Sequence, residues 1–473
     1  MKFLLINPPV TFDELFAGGG KEMGGILPPL GIAYIASYLE KKGMYVRIID
    51  GMVENKNVDE IAKLTKGFDV IGITSITFFA LRAHEQAAAI KKLYPNKIII
   101  MGGPHPSVVP EEVLQDKNVD IVVIGEGEIT TYELLNSIEK NGTKKLDEIN
   151  GIAYKKDGKV KITKSRELIR NLDELPFPAR HLLKMEKYYT SDVRCKNHPA
   201  LSIMSSRGCP NDCSYCSNDI MFRRFWRAHS AEYVVNEIEE LINKYGAKEI
   251  TFWDDNFMVN NQRVFEICRI IKERDIKIPI EASGRVDNVS LPLLQEMKKV
   301  GFYFLGFGVE SGSERILKDV NKNITKQQIR NTFAFCKKVG IISRGYFMLG
   351  FIGETEKEMF ETINFAKELD PDYATFTLLT PLPRTKDFKR AQQEGIFDKD
   401  YYKKEIYSEI NFPKHPPYTP KGFTEKRLME IHKRAYKEFY LRPTYVLRQL
   451  KTCSNFGDIR RLVKGALTVL KKN

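Results

Sequence analysis

The stretch Cys209-Pro210-Asn211-Asp212-Cys213-Ser214-Tyr215-Cys216 decides how this chain is interpreted, because it holds three cysteines at spacings of four and three residues. Soft thiolates this close together can bind three irons of a cubane [4Fe–4S] cluster and leave the fourth iron open to a small molecule. A structural zinc site is the alternative. Zinc normally takes four ligands, and the neighbouring candidates are Cys195 and His198.

An aromatic residue stands before the last cysteine of this stretch. Cys209, Cys213, Tyr215 and Cys216 thereby resemble the CxxxCxxC signature of the radical S-adenosylmethionine (SAM) superfamily. The resemblance implies a [4Fe–4S] cluster on the three cysteines and SAM on the open iron. It also implies that the main chain near Tyr215 contacts the adenine of SAM.

The bulk composition is that of a globular protein. The 473 residues correspond to about three domains, with 42% hydrophobic and 29% charged residues. The sequence contains no run of eighteen apolar residues, so no transmembrane helix is expected. Met1–Pro8 does not have the pattern of a signal peptide. The seven cysteines do not form a disulfide framework, so we expect a cytoplasmic, reducing compartment.

Positive charge is concentrated near the C-terminus. The net charge is +13, and fourteen Lys or Arg face four Asp or Glu from Lys421 onward. The apolar and basic pattern over Asp458–Lys472 is typical of a helix on an anionic membrane surface, or of a cationic face that packs on the protein. Nucleic acid is not expected, because no recognition fold accompanies the charge.

Residues 1–145 alternate short apolar runs with amphipathic segments such as Gly31–Lys42 and Ala80–Leu93. This alternation predicts an α/β domain with a doubly wound, Rossmann-like parallel sheet, and its ligand is expected at the carboxyl ends of the strands. The predicted strands are Phe3–Ile6, Val46–Ile49, Val70–Thr74, Ile98–Met101 and Ile121–Ile124.

Four of the loops that follow these strands are rich in small and hydroxyl residues. They are Asn7–Pro9, Ser75–Thr77, Gly102–Ser107 and Gly125–Glu128. Together with Leu27-Pro28-Pro29-Leu30-Gly31 they resemble the cobalamin-binding domain found ahead of a radical SAM domain. The resemblance implies cobalamin as a cofactor. The residues assigned to it are Asn7, Ser75, Thr77, Gly102, Gly103, His105, Gly125, Glu126 and Gly127.

The chain departs from one cobalamin motif, Asp-x-His-x-x-Gly, whose histidine binds cobalt from below. Here Asp13 and Gly18 match the motif, but Leu15 stands in place of the histidine. We therefore expect no lower histidine ligand from this motif. His105 is interpreted as a loop residue that touches the cofactor periphery or solvent, rather than as a cobalt ligand.

Residues 146–195 are predicted to connect two domains. Ile152–Tyr154 and Val160–Ile162 flank an Asp-Gly turn and predict a small hairpin. Leu175–Arg180 contains two prolines and is expected to be an extended tie between the domains.

Residues 196–385 contain six further strand patterns, which resemble the partial (β/α)6 TIM barrel of radical SAM enzymes. In such barrels the chemistry lies at the carboxyl ends of the strands. The predicted strands are Leu201–Ser205, Glu249–Trp253, Ile280–Ser283, Phe302–Phe307, Ser343–Leu349 and Tyr373–Leu379.

Polar residues and glycines follow these strands and are assigned to SAM. The assignments are Asp254, Asp255 and Asn256 to its amino group, Arg285 to its carboxylate, Glu310 to its ribose, and Gly350 and Gly353 to its adenine. The resemblance implies the Glu310 assignment and the assignment of the second-strand motif to the amino group, although this chain has Asp254-Asp255-Asn256 where other branches have Gly-Gly-Glu. The other assignments combine position with charge or small size. Two structural alternatives stay open: Asp254 or Asp255 caps the following helix, and Arg285 forms a local ion pair with Asp287.

Residues 386–473 are predicted to form a basic, mainly helical segment. A proline-rich loop, Asn411–Pro420, precedes a predicted amphipathic helix over Thr424–Tyr440, with Thr424 as its N-cap.

The resemblance implies an enzyme that cleaves SAM to a 5′-deoxyadenosyl radical and methylates an unactivated carbon of a small-molecule or lipid-like substrate. An external donor of the flavodoxin or ferredoxin type would reduce the cluster. Three alternatives stay open: an oxidative cyclase or ring-forming enzyme, a cobalamin or redox sensor, and a tRNA methylthiotransferase. The last family carries three further cysteines in its N-terminal domain, whereas residues 1–145 contain none.

Overall fold

Two largely parallel β-sheets, one in each half of the chain, dominate the computed structural model, which describes residues 1–16, 24–190, 195–404 and 415–452. The strands of both sheets are joined by helices, as the alternation of apolar runs and amphipathic segments predicts. The predicted α/β fold, with a Rossmann-like sheet followed by a partial barrel, is confirmed.

The first sheet has seven strands in the order β2-β1-β3-β4-β5-β6-β7. Its first five strands run parallel, and the chain changes direction across the sheet between β1 and β3. Such a change opens a crevice at the carboxyl ends of the strands, where ligands bind. The strands are β1 Lys2–Asn7, β2 Tyr45–Asp50, β3 Val70–Thr74, β4 Ile98–Gly102, β5 Ile121–Val123, β6 Ile152–Lys156 and β7 Lys159–Ile162.

Helices pack on both faces of this sheet. Successive side chains of a strand point to opposite faces, so Phe3 and Leu5 of β1 join one buried apolar layer, while Leu4 and Ile6 join the other. The helices are α1 Phe12–Phe16, α2 Leu30–Lys41, α3 Gly51–Glu54, α4 Val58–Leu64, α5 Ala80–Leu93, α6 Pro104–Val108, α7 Pro110–Val113 and α8 Gly127–Asn141.

The predicted hairpin is formed by β6 and β7 and extends the first sheet. Strand β6 pairs antiparallel with β5, and Ile152 and Tyr154 belong to the same buried layer as the parallel strands. The sequence predicts the hairpin but assigns it to a connector. In the structure it completes the apolar core of the first sheet. The domain limits at residues 145, 195 and 385 remain predictions.

The extended segment Leu175–Arg180 contacts both halves, as predicted. The Ala179 amide donates to the Ala33 carbonyl at 3.0 Å in the first half. The fully buried Arg180 donates through Nη2 to Glu237 Oε1 at 2.6 Å in the second half. The connector is therefore anchored at adjacent residues to each half.

The second sheet has six parallel strands, which are adjacent in chain order, as the six predicted β/α units require. Strands β8 and β15 are its two edges, so the barrel is open. The strands are β8 Ala200–Ile203, β11 Glu249–Phe252, β12 Ile280–Gly284, β13 Phe302–Glu310, β14 Ile342–Leu349 and β15 Tyr373–Leu378, and two short strands, β9 Ser206–Arg207 and β10 Arg227–Ala228, form a separate pair.

Helices follow these strands, and most start at a residue whose side chain caps the first turn. Thr325 and Thr355, for example, each form a capping box with a residue three positions later. The helices are α9 Asn218–Phe222, α10 Ala231–Tyr245, α11 Asn261–Glu273, α12 Leu291–Lys299, α13 Glu314–Asp319, α14 Lys326–Val339 and α15 Glu356–Leu369.

The C-terminal segment covers one open edge of the barrel. Tyr436 and Tyr440 of α18 direct their hydroxyls to the backbone of Phe376 and Ala374 on the edge strand β15. The predicted N-cap is confirmed, since Thr424 Oγ1 accepts from the Arg427 amide at 3.2 Å. The elements are α16 Lys386–Ala391, β16 Ile396–Phe397, α17 Tyr401–Lys404, β17 Tyr418–Thr419, α18 Glu425–Tyr440 and α19 Pro443–Thr452.

The described ranges include no helix with the length and apolar character needed to cross a membrane. The amphipathic helix predicted over Asp458–Lys472 and the motif position Gly18 lie outside the described residues. Contact with a membrane surface therefore remains a prediction.

Candidate active site between the two sheets

The cysteine loop begins and ends at the short pair of strands β9 and β10. These strands pair antiparallel, so residues 208–226 form one excursion that contains the cysteine motif. Gly208 opens the loop with φ +89°, and a Cβ there would lie 2.5 Å from the Phe225 carbonyl oxygen. The left-handed backbone and this close approach both require glycine.

A hydrogen-bond donor lies beside the sulfur of each motif cysteine. The pairs are Asn211 Nδ2 to Cys209 Sγ at 3.4 Å, the Asn218 amide to Cys216 Sγ at 3.5 Å, and Arg285 Nη1 to Cys213 Sγ at 3.8 Å. Donors near sulfur, and the positive charge of Arg285 beside Cys213, favour the thiolate, which is the form that binds iron. Burial acts the other way on Cys216 and raises its pKa to about 11. This donor set fits an iron–sulfur cluster.

Segments far downstream in the chain fix the shape of the loop. The Ser214 amide donates to the Val320 carbonyl at 3.0 Å, and Ser214 Oγ donates to Asp387 Oδ2 at 3.0 Å. Asn321 Nδ2 donates to the Asp212 carbonyl at 3.0 Å. The turn after α13 and the helix α16 thus hold the centre of the loop.

The two aspartates after β11 hold the start of the cysteine loop. Asp254 is buried, and its carboxylate accepts from the Ser205 amide at 2.7 Å and from the hydroxyls of Ser205 and Ser206 at 2.6 Å. Asp255 Oδ2 accepts from the Gly208 amide at 3.0 Å. Their assignment to the SAM amino group remains a prediction, and both carboxylates already have protein partners.

Asn256 has an acceptor atom without a partner. The residue is fully buried, its Nδ2 donates to Asn288 Oδ1 at 3.1 Å, and its Oδ1 has no hydrogen bond within the described part of the chain. A buried acceptor is costly unless a ligand or water supplies a donor. Helix α11 is capped by Asn260, so the alternative that Asp254 or Asp255 caps it is wrong.

Arg285 forms the local ion pair that the sequence left open. Its Nε and Nη2 lie 2.9 and 3.0 Å from the carboxylate of Asp287, and Nη2 also donates to the Lys322 carbonyl at 2.6 Å. Its remaining nitrogen lies beside Cys213. The guanidinium is therefore fixed against the cysteine loop, and its contact with the SAM carboxylate remains a prediction.

Glu310 is turned by an irregular end of β13. The pairing register shifts between Gly308 and Glu310, and Glu310 has φ +68°. Its Oε1 accepts from Lys322 Nζ at 2.7 Å, and the same ammonium lies 3.3 Å from the Tyr215 hydroxyl. Burial, followed by the charge of Glu310, raises the pKa of Tyr215 well above its usual value. The three side chains form one connected group beside the cysteines.

The two glycines after β14 differ in their surroundings. The Gly350 amide donates to the buried Glu354 Oε2 at 2.6 Å, and a Cβ on Gly350 would lie 3.3 Å from Leu428 of α18. A Cβ on Gly353 would have no neighbour within 4 Å. Gly350 is therefore engaged in internal packing, whereas Gly353 faces open space. The adenine assignment remains a prediction for both.

Asn7 is held by a polar group at the carboxyl edge of the first sheet. Its Nδ2 donates to Asp50 Oδ1 at 2.8 Å, and the Tyr188 hydroxyl donates to Asp50 Oδ2 at 2.7 Å. Burial raises the pKa of Asp50 above its usual value. The connector thus helps to shape this edge through Tyr188.

The loops after β3 and β4 interlock through their backbones. The Ser75 amide donates to the Gly102 carbonyl at 2.9 Å, and the His105 amide donates to the Ser75 carbonyl at 3.1 Å. Gly103 has φ +99°, and a Cβ there would lie 2.8 Å from the Ser75 oxygen. Glycine is therefore required where the two loops meet.

His105 is buried, so the part of the prediction that leaves it facing solvent is wrong. Its Nδ1 lies 3.3 Å from Thr77 Oγ1, and its ring packs edge-on against Tyr402 with the centroids 5.1 Å apart. Burial, with the charges of His84 and Lys403 adding to it, lowers the pKa of His105 to about 3. The imidazole is therefore neutral near pH 7. A place at the cofactor periphery remains a prediction.

The loop after β5 has one open position and one engaged carboxylate. The Gly125 amide donates to Ser107 Oγ at 2.9 Å, and a Cβ on Gly125 would have no neighbour within 4 Å. Gly127 has Ile35 close to its would-be Cβ, at 2.5 Å. The carboxylate of Glu126 binds arginines of the second half. Its assignment to cobalamin remains a prediction.

Sequence reasoning missed several residues around the site. Lys322 lies between Asn321 and Asn323, which both adopt left-handed conformations typical of a turn, and this local signal does not reveal the contact with Glu310. Arg207 stands two residues before the first motif cysteine and is recognisable only once Glu126 is known to be near. The other missed residues are Asp50, Arg227 and Tyr402.

Comparison with known proteins agrees with the order of the two sheets. The family model of the B12 binding domain matches residues 18–135, and that of the Radical SAM superfamily matches residues 203–366. An uncharacterized methyltransferase of Pyrococcus horikoshii is 37% identical over 472 residues, which cover 99% of this chain and 98% of that protein. The chain belongs to the cobalamin-dependent radical SAM enzymes.

The cofactors follow from this membership. They are a [4Fe–4S] cluster and SAM for the radical SAM domain, and cobalamin for the B12 binding domain. The relatives are not all methyltransferases. The anaerobic magnesium-protoporphyrin IX monomethyl ester cyclase of Rubrivivax gelatinosus is 28% identical over 94% of this chain and 78% of its own length.

Solved structures share the fold. The cobalamin-dependent SAM radical enzyme OxsB aligns with 99% of this chain and 71% of its own at a TM-score of 0.76 and 20% identity. The radical SAM methyltransferase TsrM of Kitasatospora setae aligns with 100% of this chain and 99% of its own at a TM-score of 0.73 and 14% identity.

Proposed function

We propose that the protein transfers a methyl group to an unactivated carbon of a small-molecule or lipid-like substrate. The observation that carries this proposal is the position of the cysteine loop, which contacts both halves of the protein. Ile220 and Met221 of α9, just after the motif, pack against the apolar core of the first sheet. A reaction in which one carbon meets both cofactors in turn needs the two cofactor-binding edges to share such a loop.

In this proposal, Cys209, Cys213 and Cys216 hold three irons of the cluster. When bound, the cluster and SAM supply hydrogen abstraction from carbon, and cobalamin supplies a transferable methyl group. The protein contributes donors to the three sulfurs, a fixed loop and an apolar contact below the loop. These features hold the reacting groups in place and exclude water from them.

The polar groups beside the loop match the parts of SAM. The unpartnered Asn256 Oδ1 suits an ammonium group, and the Lys322 ammonium suits a carboxylate, because it is a buried cation beside the cysteines. Glu310 keeps its Oε2 for the ribose hydroxyls. Gly353 offers adenine an uncrowded position without a Cβ, although its carbonyl accepts from Arg315 Nη2 at 2.9 Å. We infer that Asp254 and Asp255 position the loop rather than bind SAM.

A cyclase or ring-forming enzyme that uses cobalamin without methyl transfer is the second candidate, supported by the cyclase relative. A cobalamin or redox sensor is less well supported, because the relatives described above are named as methyltransferases and cyclases. An external flavodoxin- or ferredoxin-type reductant is part of the proposal for either enzyme.

The test is anaerobic product analysis with reconstituted protein, dithionite, methylcobalamin and SAM labelled with CD3 at its methyl group. Extract of the source cells supplies the substrate. We expect 5′-deoxyadenosine and S-adenosylhomocysteine to rise together, and a product heavier by a CD3 group to form. The Cys216→Ala variant is the matched control and should give neither product.

Other outcomes would contradict the proposal. 5′-Deoxyadenosine without S-adenosylhomocysteine or labelled product would favour the cyclase. The absence of 5′-deoxyadenosine from a protein that carries a full cluster would favour the sensor.

A further inference from the structure

Four charged side chains join the two halves beside the cysteine loop. Glu126 and Glu128 follow β5 of the first sheet, while Arg207 and Arg227 lie on the paired strands that close the loop. These side chains, here called the junction cluster, are between 3% and 8% exposed. Charges this deeply buried are stable only when they are paired.

The two arginines of the junction cluster pair with its two glutamates. Arg207 donates through Nη1 to Glu126 Oε1 at 2.9 Å and through Nη2 to Glu128 Oε1 at 2.6 Å. Arg227 Nη1 lies 2.9 Å from both oxygens of Glu126. The connector adds the Ile169 amide, which donates to Glu126 Oε2 at 2.8 Å. Two positive and two negative charges therefore balance.

The arginines control both ends of the cysteine loop. Arg207 and Arg227 face each other in the register of β9 and β10, and Arg207 stands two residues before Cys209. The Arg227 guanidinium also lies over the rings of Phe222 and Phe225, with centroid distances of 5.7 and 5.9 Å. A displacement of either arginine would move the loop that carries the cluster.

The glutamates continue the loop network of the first sheet. Glu126 follows Gly125, whose amide binds Ser107 Oγ at 2.9 Å, and Ser107 Oγ in turn donates to the Gly103 carbonyl at 2.8 Å. These residues line the carboxyl edge of the sheet, where doubly wound folds bind their ligand. These hydrogen bonds, together with the backbone between Gly125 and Glu126, connect this edge to the cysteine loop.

We propose that the residues of the junction cluster are positioning residues that couple the two cofactor sites, so that cobalamin and the iron–sulfur cluster strengthen each other's binding. Either cofactor orders its own side of the contact, and the second cofactor then meets a loop whose partner is already fixed. Such coupling is reciprocal by thermodynamic necessity. It concerns cofactor binding only and is independent of whether the product is methylated or cyclised.

The experiment measures the dissociation constant of hydroxocobalamin for the full chain with its cluster reconstituted and for the cluster-free full chain. In the wild type we expect binding to be at least about fivefold tighter with the cluster present. In Glu126→Gln we expect the dissociation constants with and without the cluster to differ by less than about twofold. Glu133→Gln is the matched control, because Glu133 on α8 pairs with Arg166 outside the junction cluster and should keep the wild-type ratio.

A second variant distinguishes loss of coupling from loss of folding. Glu126→Gln combined with Arg227→Met leaves Glu128 and Arg207 as one balanced pair. We expect this double variant to show no coupling when its dissociation constants are compared at its own measured iron and sulfide content. A merely structural contact would change stability or iron content while leaving the ratio of dissociation constants unchanged. Three results would overturn the proposal. The wild type could show no coupling, the double variant could show as much coupling as the wild type, or Glu133→Gln could lose as much coupling as Glu126→Gln.

Discussion

Individual polar atoms beside the cysteines differ in whether the protein already satisfies them. Asp254 is saturated by two serines, whereas Asn256 Oδ1 has no partner in the described ranges. Because a buried polar atom must find a partner, this difference separates groups that shape the loop from groups that are ready for a ligand. Lys322 belongs to both classes, since it holds Glu310 and lies beside the loop.

Replacing Lys322 by Met should weaken SAM binding. The change removes the contact proposed between the Lys322 ammonium and the SAM carboxylate, which would be worth roughly 1.5–3 kcal/mol and so about a 10- to 150-fold rise in the SAM dissociation constant. Lys322→Arg should lose less, because it keeps the charge. The measurement is equilibrium SAM binding to protein of known iron content.

Lys318→Met is the control for this substitution, because Lys318 is exposed near the end of α13, four residues before Lys322. It should bind SAM like the wild type. Unchanged SAM affinity in Lys322→Met at full iron content would show that Lys322 does not contribute to this site.

Glu354 should make stability depend on pH. Burial raises its pKa from 4.5 to about 8, against the effect of the Phe351 and Gly350 amides. The folded state therefore binds more protons than the unfolded state between these values, so stability is full below about pH 4.5 and falls as the pH rises toward about 8. The slope is at most about 1.4 kcal/mol per pH unit.

Glu354→Gln resembles the protonated side chain and should remove this slope, while its carbonyl oxygen can still accept from the Gly350 amide. Denaturant unfolding between pH 5 and pH 8 measures it. A slope of the same size in Glu354→Gln would assign the pH dependence to another group.

Short elements, rather than the long helices, shape the cysteine loop. Strands β9 and β10 contribute two residues each, and α9 contributes five, yet together they close the loop and seat it on the first sheet. Elements this short have little stability of their own. Their geometry therefore depends on glycine at the close contact and on the junction cluster.

Gly208→Ala should disrupt the cysteine loop while leaving the rest of the fold intact. Alanine is strained at φ +89° by roughly 1–2 kcal/mol, and its Cβ would collide with the Phe225 carbonyl. We expect reconstituted iron and sulfide per chain to fall well below the wild-type content.

Gly246→Ala is the control that separates the effect of backbone strain from the effect of the collision with the Phe225 carbonyl. Gly246 also has a left-handed conformation, φ +65°, but a Cβ there would have no neighbour within 4 Å. This variant should lose roughly 1–2 kcal/mol of stability and keep full iron content. Equal iron loss in both variants would show that general destabilisation, not the loop, is responsible.

The whole molecule is held together by buried contacts between its halves and the connector. Arg180 illustrates this, since it is fully buried and reaches from the connector to Glu237 and to the Ser202 carbonyl. Arg180→Met should cost about 3–5 kcal/mol, because Glu237 would remain as an unpaired buried charge. Denaturant unfolding followed by circular dichroism measures the loss.

Lys184→Met is the control in the same connector. Lys184 is half exposed and pairs with Glu54 at the surface, so we expect a change of less than about 1 kcal/mol. If both variants lost similar stability, burial of the Arg180 pair would not be what joins the halves.

The helices and strands were predictable from the sequence, but the long-range contacts between them were not. Strand β3 and helix α5 follow the predicted limits, because apolar periodicity is a local property. The hairpin was visible from its Asp-Gly turn, but its pairing with β5 depends on a strand about thirty residues earlier. The contact of Glu126 with Arg207 spans 81 residues and has no local signal, so Glu126 was assigned to cobalamin alone.

The contacts that fix the cysteine loop have a consequence for biogenesis. Ser214 is bound by Val320 and by Asp387, and the latter lies 173 residues further along the chain. During synthesis the N-terminal parts of a protein emerge and fold first, so the three thiols leave the ribosome long before the residues that fix the loop between them are made. The loop therefore takes its final shape only when α16 docks, and the three cysteines, which stay partly or fully exposed in the folded protein, remain open to cluster insertion afterwards.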